Sequence, residues 1–359
     1  MMWTVSAWAG GEFINLGSID DSERGAYGGT YARGVSADGN TVVGSSTADD
    51  LSDHAFRWTS SDKTMHSNLL PGFGFAYGVS ADGSVVVGDG QFRNSEGRLG
   101  RHPYRWTEAT GPVAISVLPN NVISFAHGVS ADGSMVVGMS NNGREFRAFR
   151  WSSKDNTVHD LGALPGGTGS QANGASADGS VIVGESENGK GTRAFRWTSS
   201  DNTMRDLGVL PGGENSAASG VSADGNVVVG TSGHRAFRWT ADDDTMHDLG
   251  VPPGSAYSVA NGVSADGRVV VGDGMSGDGE NMYAFLWTAE GGMQLVSDWL
   301  AKAGVELPKD AILTMATGVS ADGSVIVGIG KVIVSIGKYG NSNKYFAWRA
   351  RVSPDEQPR

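Results

Sequence analysis

The chain has 359 residues, and 27 Lys and Arg stand against 39 Asp and Glu, which gives a formal net charge of −12. A surface that acidic argues against nucleic acids and anionic membranes as partners. Cysteine is absent, which excludes disulfides, thiolate metal sites and a cysteine nucleophile. Glycine accounts for 55 residues and only 18% of the chain is charged, a composition that predicts an ordered protein with many tight turns.

The N-terminal segment carries no targeting pattern. Residues Met1 to Val5 lack the basic region and apolar stretch of a signal peptide. No window of the chain approaches eighteen consecutive apolar residues, so no membrane insertion is expected. A cytoplasmic protein and an exported one whose targeting segment was removed both remain open.

An internal repeat dominates the rest of the chain. The string Ser-Ala-Asp-Gly occurs seven times, with its aspartates 42 to 56 residues apart, at Asp38, Asp82, Asp132, Asp178, Asp224, Asp266 and Asp322. A short apolar run ending in glycine follows each string, as in Val85 to Gly88. A tryptophan preceded two positions earlier by Phe or Tyr completes each unit, as in Phe195 and Trp197.

Each unit reads as four short antiparallel strands, which we call a, b, c and d. Ser-Ala-Asp-Gly followed by the apolar run predicts an a–b hairpin, because Asp and Gly favour the turn positions. Ala-Phe-Arg-Trp alternates with period 2 and predicts strand c. Four strands in such a unit match the period of a propeller blade. The sequence therefore predicts an all-β, seven-bladed β-propeller, with a solenoid as the main alternative.

The two chain ends complement each other. The N-terminus from Trp8 to Gly17 resembles a c–d half-unit, and the last unit lacks strand d. We therefore expect residues 13–17 to supply the outer strand of the last blade, so that N- and C-terminal strands close the ring together. The prediction is one domain over residues 1–352 with a C-terminal tail at 353–359. A short helical insertion is expected at about 297–304, with Ser297 as N-cap and Gly304 as stop.

Three motifs carry a resemblance to a known family. His54-Ala55-Phe56-Arg57-Trp58, the Asp-Leu-Gly and Leu-Pro-Gly-Gly stretches, and Gly-Val-Ser-Ala-Asp-Gly together resemble the HAF repeat family of bacterial extracellular proteins. The resemblance covers nearly the whole chain. It implies a secreted or cell-surface location, often as an autotransporter passenger, and it implies no defined catalytic activity.

One repeat-equivalent position is the main candidate site. Each a strand contains Ala, a variable polar residue and Gly, and the variable residues are Arg33, Tyr77, His127, Asn173, Ser219, Asn261 and Thr317. We expect them to ring the mouth of the central channel. Arg33, Tyr77 and His127 lie on successive blades, where Arg suits a carboxylate and Tyr or His suits proton transfer. Asn173 and Asn261 are further ligand candidates, and the alternative is that strand starts are merely solvated.

A second position, four before each tryptophan, is mostly basic. It is occupied by His54, His102, Arg147, Arg193, Arg235, Tyr283 and Lys344. With Arg93 and Arg101 in the second unit, His102 belongs to a basic segment that suits an anionic ligand such as an acidic glycan. The alternative is that these residues have no ligand, because exposed strand starts favour long basic side chains. Asp273, Asp278 and Glu280 form a weak calcium candidate, against the simpler reading of an acidic loop.

These observations favour a binding or adhesion module for glycan or protein ligands, working as a monomer without a cofactor. No nucleophile elbow, Walker phosphate-binding loop or zinc-protease motif occurs. The alternative is a lyase on uronate-containing polysaccharides, in which Arg33 neutralises the uronate carboxylate and His127 or Tyr77 removes the C5 proton. A structural spacer in a longer surface fibre is the third possibility.

Overall fold

The computed structural model describes residues 4–6, 10–19, 28–67, 69–93, 99–119, 123–141, 143–335 and 341–352. Their strands form seven antiparallel sheets arranged in a ring, which is the predicted seven-bladed β-propeller. Six sheets have four strands and the last has five. We number the blades in chain order, so that blade 7 combines the last three strands with the first two.

In blades 1 to 6 the strands lie from the channel outward in the order of the sequence. In blade 7 the three inner strands do so too, and the two outermost strands come from the N-terminus. Blades 1 to 3 comprise β3 (Thr30–Val35), β4 (Thr41–Thr47), β5 (Asp53–Thr59), β6 (Met65–His66); β7 (Gly74–Val79), β8 (Val85–Arg93), β9 (Leu99–Thr107), β10 (Gly111–Ala114); and β11 (Ile123–Val129), β12 (Met135–Asn141), β13 (Phe146–Ser152), β14 (Thr157–Asp160). Blades 4 to 6 comprise β15 (Ser170–Ala175), β16 (Val181–Glu187), β17 (Thr192–Thr198), β18 (Thr203–Asp206); β19 (Ser216–Val221), β20 (Val227–Ser232), β21 (Arg235–Thr240), β22 (Thr245–Asp248); and β23 (Tyr257–Val263), β24 (Val270–Met275), β25 (Met282–Thr288), β26 (Gly292–Leu295). Blade 7 comprises β27 (Ala311–Val319), β28 (Val325–Ser335), β29 (Asn341–Val352), β2 (Gly11–Asn15) and β1 (Thr4–Ser6).

The N-terminal strand completes the last blade, as predicted. β2 pairs antiparallel with β29, and Phe13 lies opposite Ala350. β1 adds a fifth strand on the outer edge of β2. The ring is therefore closed by strands from both ends of the chain, which hold each other by a backbone ladder.

The Ser-Ala-Asp-Gly turns also close the ring through their backbones. The N–H of each turn alanine donates to the carbonyl of the turn alanine in the next blade, and Ala321 donates to Ala37 at 2.9 Å to complete the circle. The arginine of strand c adds a second link between blades. Arg105 Nε, for example, donates to the carbonyl of Gly133 in the next blade at 3.0 Å. The repeated motif thus joins neighbouring blades as well as forming a turn within each one.

The hydrophobic core lies between the blades. Phe195 and Trp197 of strand c are buried and pack with Ile182 of their own blade and Val137 of the preceding one. Equivalent clusters recur around the ring, as the alternation of Ala-Phe-Arg-Trp predicts. Because each cluster shares side chains from two blades, no blade buries its apolar face alone.

A short helix, α1 (Val296–Lys302), precedes blade 7 and buries Val296, Trp299 and Leu300 against it. Its N-cap is Leu295, with no side-chain cap hydrogen bond, so the expectation that Ser297 caps it is wrong. Gly304 follows with φ +74°, a conformation that glycine adopts without strain. Within the described residues, no helix is long and apolar enough to cross a membrane. The predicted tail at 353–359 lies outside the described residues.

Candidate functional site

The variable residue of each a strand sits in a β-bulge. In blade 3, Ala126 pairs with Gly138 and Gly128 pairs with Val137, so His127 is the extra residue with no partner opposite it. The same shift occurs in each of the seven a strands. A bulge re-aims the side chain of its extra residue. The seven variable residues therefore occupy equivalent positions in the seven blades, and of them Arg33 and Thr317 line the cavity along the axis.

The structure brings together Arg33, Tyr77 and His127, as predicted. The Arg33 guanidinium carbon lies 5.2 Å from the centre of the Tyr77 ring, a cation–π contact. The Tyr77 and His127 rings meet edge to face with centres 5.8 Å apart. The three side chains therefore form one continuous contact across blades 1 to 3.

Arg33 faces the channel without a counter-ion. It is the one charged residue lining a cavity of about 210 Å³ along the axis, whose other walls are glycine, valine, alanine and threonine. Among the residues that the structure describes, no carboxylate pairs with it, and its Nε is buried without a hydrogen-bond partner. A guanidinium in such surroundings attracts an anion from solvent.

His127 is held in one tautomer. Its Nδ1 lies 3.1 Å from the carbonyl oxygen of Ala172 in the next blade, and a carbonyl only accepts, so Nδ1 carries the hydrogen. Burial lowers the pKa of His127, while that carbonyl, Asp89 and the Asn173 side chain oppose the shift. The neutral imidazole is therefore favoured at neutral pH. In that form Nε2 has the lone pair.

Tyr77 stays protonated over the physiological pH range. Burial raises its pKa to about 12, and the nearby carboxylate of Asp89 acts in the same direction, whereas Arg33 and Arg101 oppose the shift. Because the phenol keeps its hydrogen, Tyr77 can donate to an oxygen of a bound ligand.

Arg101 is enclosed behind this trio. Its Nε forms an ion pair with Asp89, which is fully buried. The guanidinium carbon also lies 5.4, 5.0 and 4.9 Å from the ring centres of Phe73, Phe75 and Phe125. The three phenylalanine rings and the Asp89 carboxylate hold the guanidinium of Arg101 in one orientation. The Arg101 side chain is still 30% exposed, so it can also contact a ligand.

The rest of the predicted basic segment divides between two faces. Arg93 lies on the same face of the β8–β9 hairpin as Arg101, since Arg101 opposes Gln91 and Arg93 is two residues further along the strand. His102 is adjacent to Arg101 in the same strand and so points to the other face. The structure therefore does not bring His102 to Arg101.

Asn173 and Asn261 have structural hydrogen bonds. The Asn173 amide donates to the carbonyl of Ala218 in the next blade at 2.8 Å, and the Asn261 amide donates to Ala316 at 3.0 Å. Thr317 does the same to Ala32. These bonds hold neighbouring a strands together, and Asn261 also bonds Asp273. His127 makes the equivalent bond to Ala172 through Nδ1, and its second ring nitrogen remains for a ligand.

The second basic position is largely occupied by contacts within the protein. Arg235 pairs with Asp248 at 3.1 Å, and Arg147 pairs with Asp160 at 3.3 Å. His54 lies 3.3 Å from Asp50. These pairs join strand c to its own blade, so they do not form a common anion site.

The calcium candidate is not supported. Asp273 lies inside blade 6 and accepts from Asn261, whereas Asp278 caps an exposed turn through Ser276 and the backbone of Glu280. The three carboxyls do not converge, because strand and turn place them apart. Over the described ranges, no group of three or more His, Asp or Glu side chains could hold a metal ion.

Sequence reasoning missed the aromatic wall of the mouth. Tyr31, Phe75 and Phe125 occupy the position two before the variable residue in blades 1 to 3, and Tyr31 stacks on Tyr345 of blade 7 at 6.0 Å. It also missed the buried Asp89. Both features are visible in the sequence. The position two before the variable residue is aromatic in some units only, and the position after the glycine of strand b is acidic in some units only.

Comparisons with known proteins support the fold. No family model matches the chain, and no curated protein does. Among solved structures, an oligogalacturonate lyase from Vibrio parahaemolyticus is 10% identical with a TM-score of 0.59, over 99% of this chain and 98% of that one. An oligogalacturonate lyase in complex with manganese is 13% identical, with a TM-score of 0.58 over 99% and 97%. A prolyl endopeptidase is 14% identical, with a TM-score of 0.58 over 92% of this chain and 54% of that one. At such identities the likeness concerns the propeller fold alone.

Proposed function

We propose that the protein is a glycan-binding β-propeller that takes an acidic sugar at the mouth of its channel. The observation that carries the proposal is the Arg33 guanidinium, which faces the channel, pairs with no carboxylate of the described residues, and touches Tyr77. A uronate supplies a carboxylate for Arg33 and hydroxyls for Tyr77 and His127. Aromatic rings such as Phe75 offer flat apolar faces beside those polar groups, the combination that ligand sites typically have.

The proposal includes a secreted or cell-surface location. Its support is the resemblance of the repeats to the HAF family and the absence of cysteine, which suits a chain exported in an extended form. Adhesion through a protein ligand is less favoured by the site, because its convergent groups lie at a narrow channel mouth rather than on a broad surface.

Calorimetric titration with a uronate trisaccharide tests the binding proposal. Wild type should bind it, and Arg33→Ala should weaken binding by at least tenfold, because a charge-assisted pair is lost. The matched control is Arg268→Ala, since Arg268 is 84% exposed in the a–b turn of blade 6. No binding by wild type, or equal loss in both variants, would contradict the proposal.

A second candidate is cleavage of the same glycan by β-elimination. The observation that favours it is the contact of a cation, a protonated phenol and a neutral imidazole within one site. Arg33 would neutralise the uronate carboxylate, and neutral His127 would take the C5 proton through Nε2, since Tyr77 stays protonated. The electron pair of that C–H bond would form the C4–C5 double bond as the C4–O bond breaks, and the leaving oxygen would take a proton from the phenol of Tyr77. The two lyases noted above share only the fold, so they do not decide between binding and cleavage.

Ultraviolet absorbance separates the two candidates. Elimination produces an unsaturated uronate that absorbs, while binding alone leaves the substrate unchanged. Incubation of wild type with uronate polysaccharides should give the signal if the protein is a lyase, and His127→Gln and Tyr77→Phe should each reduce it. Binding without any such signal identifies a binding module.

A further inference from the structure

Two clefts flank blade 4 where strands a begin and strands b end. The first has a volume of about 400 Å³, with Phe146, Thr168 and Gln171 among its lining residues. The second has a volume of about 550 Å³ and includes Asn215, Thr231 and His234. Both volumes fall in the range of about 300–1,000 Å³ that is usual for small-molecule sites. Glu185 and Thr192 line both clefts and form the ridge between them.

Glu185 differs from its equivalents in the other blades. Three blades carry a carboxyl directly after the glycine of strand b, namely Asp89, Glu185 and Asp273. Asp89 pairs with Arg101 and Asp273 accepts from Asn261. Glu185 forms no hydrogen bond or ion pair with any residue that the structure describes, and burial raises its pKa. Its carboxyl is thus half-buried and directed to two cavities instead of to a neighbour.

A succession of side-chain contacts leads from Arg33 to the first cleft. The Arg33 guanidinium lies 5.7 Å from the Phe75 ring centre, and Arg101 lies 5.0 Å from the same ring. Arg101 then reaches Phe125 at 4.9 Å, and Phe125 contacts Phe146, whose ring centre is 6.5 Å away and which lines the first cleft. We call this succession the track: it runs from Arg33 in blade 1 to Phe146 in blade 3, and through the first cleft to Glu185 in blade 4.

The chemistry of the track changes along its length. Its beginning is cationic through Arg33 and Arg101. The second cleft lies on the other side of Glu185. Its described lining residues include Glu185 and Glu214 and no Lys or Arg. An anionic sugar is repelled there, whereas a hydroxylated uncharged ring can donate hydrogen bonds to carboxylate oxygens and accept them from Asn215 or Thr231. The second cleft ends near His234 and Tyr257, whose rings meet edge to face with centres 5.1 Å apart.

The geometry points to a second sugar subsite at Glu185 that takes an uncharged, hydroxylated residue of the same glycan chain whose acidic residue binds at Arg33. This rests on the proposed function, since it extends the same ligand from blade 1 to blade 4. It makes the natural ligand a heterogeneous oligosaccharide rather than a single uronate. Glu185 is then the residue that determines specificity beyond the acidic end.

The test compares two ligands on the full chain by calorimetry. One is a uronate trisaccharide, and the other is the same trisaccharide extended by uncharged hexoses. Wild type should bind the longer ligand more tightly. Glu185→Gln should weaken the longer ligand about tenfold, the difference between charged and neutral hydrogen bonds, and leave the trisaccharide within twofold. Thr192→Trp places a large side chain on the ridge between the two clefts. It should likewise weaken the longer ligand and leave the trisaccharide within twofold.

Glu108→Gln is the matched control, because Glu108 is exposed in the c–d turn of blade 2 on the opposite face. Equal loss for both ligands, no loss for either, or no binding of either ligand by wild type would overturn the subsite. If wild type binds only the longer ligand and the binding depends on Glu185 but not on Arg33, the acidic mouth fails and the subsite stands. The two proposals therefore fail in distinguishable ways.

Discussion

Arg349 Nη1 donates a hydrogen bond to Oε2 of Glu12 at 2.9 Å, across 337 positions of sequence. Arg349 is 1% exposed, and its Nε also donates to the carbonyl of Gly39 in blade 1 at 2.8 Å. One side chain thus joins the N-terminal strand, the last blade and the first blade. The closure of the ring depends on this residue as well as on the β2–β29 ladder.

Replacing Arg349 should destabilise the protein more than replacing its equivalent elsewhere in the ring. Arg349→Ala leaves a carboxylate and a buried carbonyl without their donor, and we expect a loss of about 3 kcal/mol in the free energy of unfolding. Arg57→Ala is the matched control, because within the described residues Arg57 hydrogen-bonds the carbonyl of Gly83 and lies over the Trp106 ring but pairs with no carboxylate. Its cost should be about 1 kcal/mol. Urea denaturation measures both, and equal costs would show that the Glu12 contact adds nothing to closure.

The glycine that ends each apolar run should not tolerate a side chain. A Cβ on Gly138 would lie well inside van der Waals contact with the carbonyl oxygen of Phe125, where the bulge brings the two strands together. We expect Gly138→Ala to cost about 2–3 kcal/mol. Gly72→Ala is the control, since nothing lies within 4 Å of its added Cβ. Thermal unfolding should separate the two variants, and similar midpoints would contradict the close approach at Gly138.

The propeller and its closure were predictable because they depend on residues repeated in every unit. Seven copies of Ser-Ala-Asp-Gly predict seven hairpins, and the partial unit around Phe13 predicts the shared blade. The bulge was not predictable, because Ala-x-Gly reads as continuous strand until the partner strand is in place. The direction of Arg33 and the ion pair of Arg101 with Asp89 depend on that register. The separation of His102 from Arg101 has a simpler cause, because neighbours in a strand face opposite sides whatever the register.

His127 should make stability depend on pH. Burial lowers its pKa in the folded protein, so protonation costs more there than in the unfolded chain, whose histidine titrates near about 6.5. The stability that neutral His127 supports is present above that value and is lost as the pH falls through the folded pKa. His127→Gln can keep the hydrogen bond to Ala172 without titrating.

The stability difference between wild type and His127→Gln should therefore shift in favour of the variant on going from pH 8 to pH 5, with a slope of at most about 1.4 kcal/mol per pH unit. Chemical denaturation at several pH values measures it, and the other histidines cancel in the difference. A constant difference across the range would show that burial does not hold His127 neutral.

Asp89 should control the ionisation of Tyr77. After burial, the negative charge of Asp89 is the largest cause that raises the pKa of Tyr77 to about 12, and Arg33 and Arg101 oppose it. Asp89→Asn removes that charge and leaves Arg101 without its counter-ion, so the pKa of Tyr77 should fall. Alkaline titration followed by tyrosinate absorbance measures the change, and the Tyr77 step is the one that disappears in Tyr77→Phe. Asp273→Asn, at the equivalent position of blade 6, should leave the step where it is in wild type. If Asp89→Asn leaves it there too, Asp89 does not act on Tyr77, and the phenol is kept protonated by burial alone.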